Sequence, residues 1–182
     1  MKIKSKKIVY KCPIFRVEER KVILKDNVEQ THWIVVRQPN VTVVALTNDK
    51  RIVLINEIRG KDDHKTIELP GGKLDSYNPS KNEAKKQALQ ELESEAGFKA
   101  RNIELLEIAE SNSNWRERKY YHFAAWNLSH IGQELEEGED IKVKLVKVEE
   151  AIDIAENRKM TFPDENDAVL KGIEFFKQRK LL

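Results

Sequence analysis

The sequence predicts a mixed α/β protein, and three observations lead there. Apolar runs of strand length flank one long helical segment, two further helical segments close the chain, and no repeat or low-complexity tract interrupts the order. The 182 residues correspond to about one domain with a modest appendage, because a single core is built from roughly 100–200 residues. Hydrophobic residues at 40% and charged residues at 35% describe a chain able to pack a core beneath a charged surface.

From Ile8 to about Val36 the runs IVY, FRV, VILKD and WIVV alternate with polar residues, which predicts several short strands with a hairpin turn at Lys25-Asp26-Asn27. Arg37-Gln38-Pro39-Asn40 reads as a break and marks a boundary near residue 40. VTVVAL (41–46) and RIVLINEIR (51–59), joined by Thr47-Asn48-Asp49-Lys50, predict a second hairpin whose strands are apolar enough to be central. Gly60 to His64 is charged and turn-like, and ELPGGK (68–73) predicts a short strand ending in a proline and two glycines. Asp75 to Pro79 is loop. Ser80 to Ala96 is helical, with Ser80 as N-cap, Glu83 as its capping-box partner and Gly97 as the C-terminal stop. IELLEIAES, KYYHFAAWNL and IKVKLVKV predict three more strands, the last alternating Ile141, Val143 and Leu145 against Lys142 and Lys144. An acidic loop, GQELEEGED (132–140), precedes that strand, and helices are expected over about 149–157 and, after a break at Phe162-Pro163, from Asp164 to Lys180.

Charge and composition exclude several classes of function. Lys plus Arg number 33 against 31 Asp plus Glu, a net charge of +2, so the chain lacks the cationic excess of a dedicated nucleic-acid binder. Cys12 stands alone, which excludes intrachain disulfides and cysteine-based zinc sites and points to the reducing cytosol. The basic start MKIKSKKIVYK is followed by no apolar segment of signal-peptide length, and no run is long enough to span a membrane, so a cytoplasmic protein is expected. The four histidines are scattered without metal-ligand spacing.

Residues 68–98 carry the chemistry. On a wheel of about 100° per residue, Glu91 and Glu95 fall within about 40° of one another, on the face that holds Ala84 and Ala88 and at the edge of the apolar stripe of Leu89, Leu92 and Ala96. A helix shaped only for solubility would set its glutamates opposite the core, where Glu93 lies. Two carboxylates beside the body of a fold repel unless a cation lies between them, and Mg²⁺ with oxygen ligands and waters meets that need. Gly71 and Gly72 let the backbone come close enough for a main-chain carbonyl to join as a ligand. Diphosphates suit such a site, because the ion neutralises phosphoryl charge and activates water.

Gly72, the helix, Glu91-Leu92, Glu95 and Gly97-Phe98 resemble the Nudix box, a glycine, five residues, a glutamate, seven residues, then Arg-Glu-hydrophobic-x-Glu-Glu-x-Gly-hydrophobic. The resemblance implies an α/β/α sandwich and a hydrolase that cuts a nucleoside diphosphate linked to another moiety with Mg²⁺ or Mn²⁺. The flanking VVALTNDKRIVLINEIRG and ELPGGK look like the ADP-ribose pyrophosphatase branch. That branch implies a homodimer formed through an N-terminal β segment, here residues 1–40, ahead of a catalytic domain over 41–182. It also implies a metal site of Glu91, Glu95 and the Gly71 carbonyl, with Arg59 and Gly72 at the substrate phosphates. The water-activating glutamate would come from the acidic loop, Glu137 first and Glu139 second.

The sequence also departs from the box. Gln90 replaces the arginine, Ser94 the middle glutamate and Asn82 the upstream glutamate, and residues 73–81 form a nine-residue spacer in place of five. A nucleotide-binding module without strong catalysis is the rival reading that these departures motivate. SNSNWRER (111–118) lacks the Ser-Pro-Gly-like element of the ADP-ribose branch. Trp33 or Trp115 could stack on a base.

Overall fold

The computed structural model describes residues 2–59, 64–111 and 113–182, the side chains of Arg59 and His64 excepted. Three long strands open the chain, β1 (Lys2–Lys11), β2 (Phe15–Ile23) and β3 (Glu29–Arg37), paired as an antiparallel meander. They are nine or ten residues long, longer than the broken apolar runs suggest, because charged residues on the solvent side interrupt hydrophobicity without interrupting the ladder. Asn27, at φ 56°, makes the tight return from β2 to β3. A two-residue strand, β9 (Arg116–Glu117), joins β3 in parallel. Beside the buried Val22, Ile34 and Val36, this sheet holds a buried carboxylate. Glu18 is buried, and Arg16 and Arg20 grip its two oxygens at 2.7 and 2.6 Å, while Arg20 also reaches Glu117 at 2.6 Å. Forked guanidinium pairing of this kind satisfies a buried charge that would otherwise be costly.

Two further sheets form the centre. The first has the order β7 (Gly71–Lys73), β4 (Asn40–Ala45), β10 (Lys119–His130), β8 (Phe98–Glu110), and the second β11 (Ile141–Lys147), β5 (Arg51–Arg59), β6 (His64–Lys65). β4 is apolar on both faces and is therefore covered on both. Val41, Val43 and Ala45 pack beneath α1 (Lys81–Ala96) with Ala84, Ala88 and Leu92. Val44 and Leu46 pack on the other side with Ala151 of α2 (Val148–Glu156) and Ala168, Val169 and Phe176 of α3 (Pro163–Gln178). The result is the expected α/β/α sandwich with an antiparallel β segment at its N-terminus.

β4 and β5 do not form the expected hairpin. They touch through one bridge, Leu46 to Ile52, and then diverge, β4 into parallel pairing with β10 and β5 into antiparallel pairing with β11. A strand buried on both faces gains more as the middle of a sheet than as half of a two-stranded ribbon. ELPGGK also differs from expectation, since the glycines begin the short strand β7. On β11 the alternation holds for Ile141 and Val143 but then breaks, because Leu145 is exposed and Val146 is buried against the helices on the opposite side.

Helix α1 begins and ends as the sequence predicts. The Ser80 side chain accepts from Glu83 N–H, the Glu83 carboxylate accepts from Ser80 N–H, and Gly97 caps the end at φ 70° in the left-handed region. The cap orders the segment that presents Glu91 and Glu95.

His122 lies in the core of β10, opposite Thr42 of β4, and its Nδ1 shares a 2.7 Å hydrogen bond with Thr42 Oγ1. Its Nε2 has no hydrogen-bond partner among the described residues, and Asp164 Oδ2 stands 3.9 Å away. Burial pushes the imidazole down to about 4, with Lys171 adding to the shift and Glu107 and Asp167 opposing it. The unfolded chain therefore binds the proton more readily between about pH 6.5 and pH 4. Stability from this group is present above the unfolded value and is lost as pH falls through that window, up to about 3 kcal/mol. Denaturant unfolding at pH 7 and pH 4.5 should show a smaller loss in His122→Gln than in the wild type. Equal losses would mean that the ring is not held neutral.

Candidate active site

The start of β7 and the inner face of α1 meet at two glycines. Gly71 N–H donates to Glu95 Oε2 at 2.7 Å. Gly72 lies so close to Glu91 that a Cβ there would stand 1.8 Å from Oε1 and 2.5 Å from Cδ. Glycine at 72 is thus a steric requirement of the Glu91 carboxylate. Gln87, one turn earlier on α1, donates to Glu91 Oε1 at 2.8 Å.

The acidic loop is lashed to the end of the same helix. Gln133 donates through Nε2 to Glu95 O at 2.6 Å, and Glu134 N–H donates to Ser94 O at 3.0 Å. Within the loop Glu136 N–H donates to Glu139 Oε2 at 2.9 Å. Burial pushes the Glu95 carboxyl up to about 8 against the opposing Gly71 N–H, and repulsion from Glu91, Glu139 and Glu57 adds to the rise. Glu91 is raised by burial, against Gln87, and by Glu139 and Glu136. Five glutamates from α1, β5 and the loop therefore share one region of negative potential. Glu139 lies in that field; Glu137 is exposed and contributes to neither shift.

The family that the sequence resembles implies a divalent ion, and the donor set fits one. Both carboxylates are hard oxygen donors raised by burial and by neighbouring carboxylates, the condition that a cation relieves. Among the described residues no group of three or more ligating side chains is assembled in advance.

The departures from the box have visible consequences. Ser94 Oγ donates back to Gln90 O at 2.9 Å, and with Gln90 it faces a concavity formed with residues 131–134, away from the glycines. Asn82 is exposed, and Glu83 is committed to the helix cap. Arg59 ends β5, and its side chain lies outside the described residues, as do residues 60–63 of the expected turn. Trp33 is 58% exposed on β3, four residues or about 13 Å of strand from Arg37. Trp115 is 61% exposed.

Sequence reasoning missed the cavity beside the pair. About 430 Å³ in volume, it is bounded by the same Gly71 and Gly72, by Arg37, Lys73 and Arg118, by Tyr120 and Phe162, and by Asp164 and Glu165 at the start of α3. Glu165 is fully buried and accepts Leu69 N–H at 3.0 Å, which fixes the LPGG segment to α3. The one hint in the sequence was the unusual run SNSNWRER, which delivers Arg118.

The NUDIX domain model matches residues 36–165. An ADP-ribose pyrophosphatase of Bacillus subtilis is 28% identical over 129 residues, covering 69% of this chain and 68% of that protein. A methanol dehydrogenase activator of Bacillus methanolicus is 34% identical over 73 residues, 40% of this chain and 37% of that protein. Among solved structures, an ADP compounds hydrolase superposes with a TM-score of 0.77 at 20% identity, covering 98% of this chain and 95% of the other.

Proposed function

The chain belongs to the Nudix hydrolase family, and from that premise we propose that it hydrolyses the diphosphate of a nucleoside diphosphate sugar of the ADP-ribose type. The products are a nucleoside monophosphate and a sugar phosphate. The observation that carries the reading is the Glu91 and Glu95 pair held against Gly71 and Gly72 beside a cation-bearing cavity. Glu91, Glu95 and the Gly71 carbonyl would hold Mg²⁺ or Mn²⁺, which supplies neutralisation of phosphoryl charge and a more acidic water. Arg59 and the Gly72 backbone hold phosphate oxygens. Glu139, and less directly Glu137, takes the proton of the attacking water as its oxygen bonds to one phosphorus and the bridging P–O bond breaks. The test is phosphate release from ADP-ribose, other sugar nucleotides, dinucleoside polyphosphates and nucleoside triphosphates, coupled to a phosphatase that acts only on products. Turnover concentrated on ADP-ribose or a close analogue is expected. Silence across the panel with Mg²⁺ and Mn²⁺ would overturn the assignment.

In the same reading residues 1–40 join two copies, and residues 41–182 form the catalytic part. β1 is an edge strand exposed along all ten residues, with Ile3, Ile8, Val9 and Tyr10 facing outward. The unpaired backbone groups of so long an exposed edge, with those four apolar side chains among its lysines, offer a surface for pairing. A second copy would cover it and bring Trp33 toward a base. Light scattering should give twice the 21.2 kDa chain mass; a monomer at micromolar concentration would refute the dimer.

A further inference from the structure

Arg118 is pinned and only partly used. Its Nε donates to Gln38 O at 3.0 Å and its Nη2 to Asn40 Oδ1 at 3.1 Å, and the guanidinium lies 5.4 Å from the centre of the Tyr120 ring. Those two bonds engage Nε and Nη2. Arg37, at the end of β3, lines the same cavity, and among the described residues its side chain makes no hydrogen bond. Neither guanidinium has a carboxylate within ion-pair distance among those residues. Burial first, and Arg37 second, disfavour the charge on Arg118, with Tyr120 and then Asp164 only partly compensating. Two forked cations gathered in a half-buried cavity and left without an ion-pair partner are the mirror image of the Glu91 and Glu95 pair. A polyvalent anion is what relieves them, and guanidinium geometry matches phosphate oxygens.

We propose that Arg118 and Arg37 form a phosphate clamp, distinct from the Glu91 and Glu95 site but sharing the Gly71 and Gly72 backbone with it, which binds a phosphoryl group of the nucleotide substrate. The clamp rests on the reading of that site as a diphosphate hydrolase. The cavity adjoins the backbone strand on which the glutamates rest, so a substrate spanning both places its diphosphate between the carboxylates and the guanidiniums. The phosphoryl group belongs either to the nucleoside half or to the sugar half, and the two product halves separate these sources.

Calorimetry on metal-free protein, with AMP, ribose 5-phosphate and adenosine as probes, tests the clamp without turnover. AMP or ribose 5-phosphate should bind on the order of tenfold to a hundredfold more weakly to Arg118→Gln and to Arg37→Gln, with adenosine unaffected. Whichever phosphate ester loses affinity identifies the half that is held. Arg118→Lys should recover only part of the loss, because the charge remains but the fork does not. In turnover the Gln variants should raise KM for ADP-ribose with kcat little changed. Arg118 also ties β10 to the segment before β4, so Arg37→Gln, which breaks no hydrogen bond, guards against a folding artefact. Wild-type affinity of both Gln variants for both phosphate esters would overturn the clamp even if the enzyme turns over. Loss of phosphate-ester affinity in a protein silent across the substrate panel would uphold the clamp and overturn the hydrolase reading instead.

Discussion

Glu95→Gln is expected to lower turnover of a diphosphate substrate by about 10²–10³-fold, the scale seen when one electrostatic group of a preorganised site is lost, while the fold survives. The substitution keeps an oxygen where Glu95 Oε2 accepts Gly71 N–H at 2.7 Å, so β7 stays attached to α1. It removes a charge that the metal-free fold disfavours, since burial and the neighbouring Glu91, Glu139 and Glu57 all raise the Glu95 carboxyl. The melting temperature of metal-free protein at mildly alkaline pH should therefore hold or rise as activity disappears. Turnover within a few-fold of wild type would remove Glu95 from the chemistry and with it the placement of the site. A large fall in melting temperature would show instead that the residue is a structural acceptor.

The parts of this site visible in the sequence are those set by local rules. The span of α1 follows from a capping box and a left-handed glycine within one short segment, and the inward turn of Glu91 and Glu95 follows from helical periodicity alone. The sandwich was implied by the resemblance to the Nudix box, whereas the apolar runs of β4 and β5 marked them only as central strands and did not reveal their sheet partners. Pairing β4 with β10 brings Asn40 beside Tyr120, eighty residues apart, and no local pattern announces it. The cavity depends on that pairing, since Arg37 precedes β4 and Arg118 precedes β10. The choice among loop glutamates was hidden for a different reason. GQELEEGED has no periodicity to orient its side chains, and what brings Glu139 toward the pair is a loop anchored by Gln133 at the end of α1.

The two adjacent glycines should give opposite results when each becomes alanine. At Gly72 the new methyl would meet the Glu91 carboxylate, 1.8 Å from Oε1. That obstacle is the far end of a flexible side chain, which can rotate away at the loss of the 2.8 Å bond from Gln87. Gly72→Ala should leave the melting temperature within about 2 °C of wild type, because less than about 1 kcal/mol is at stake, yet lower turnover on the order of a hundredfold by displacing a carboxylate from its working position. At Gly71 the methyl would meet Val41 O at 2.3 Å and Thr42 Cα at 2.9 Å, backbone atoms of the buried central strand. These cannot move without parting β7 from β4, so Gly71→Ala should cost about 1–3 kcal/mol, several degrees for a chain of this length. Thermal melts beside single-turnover rates distinguish the two. Were Gly72→Ala as destabilising as Gly71→Ala, or fully active, Glu91 would not rest against Gly72 and the pair would have to be placed elsewhere.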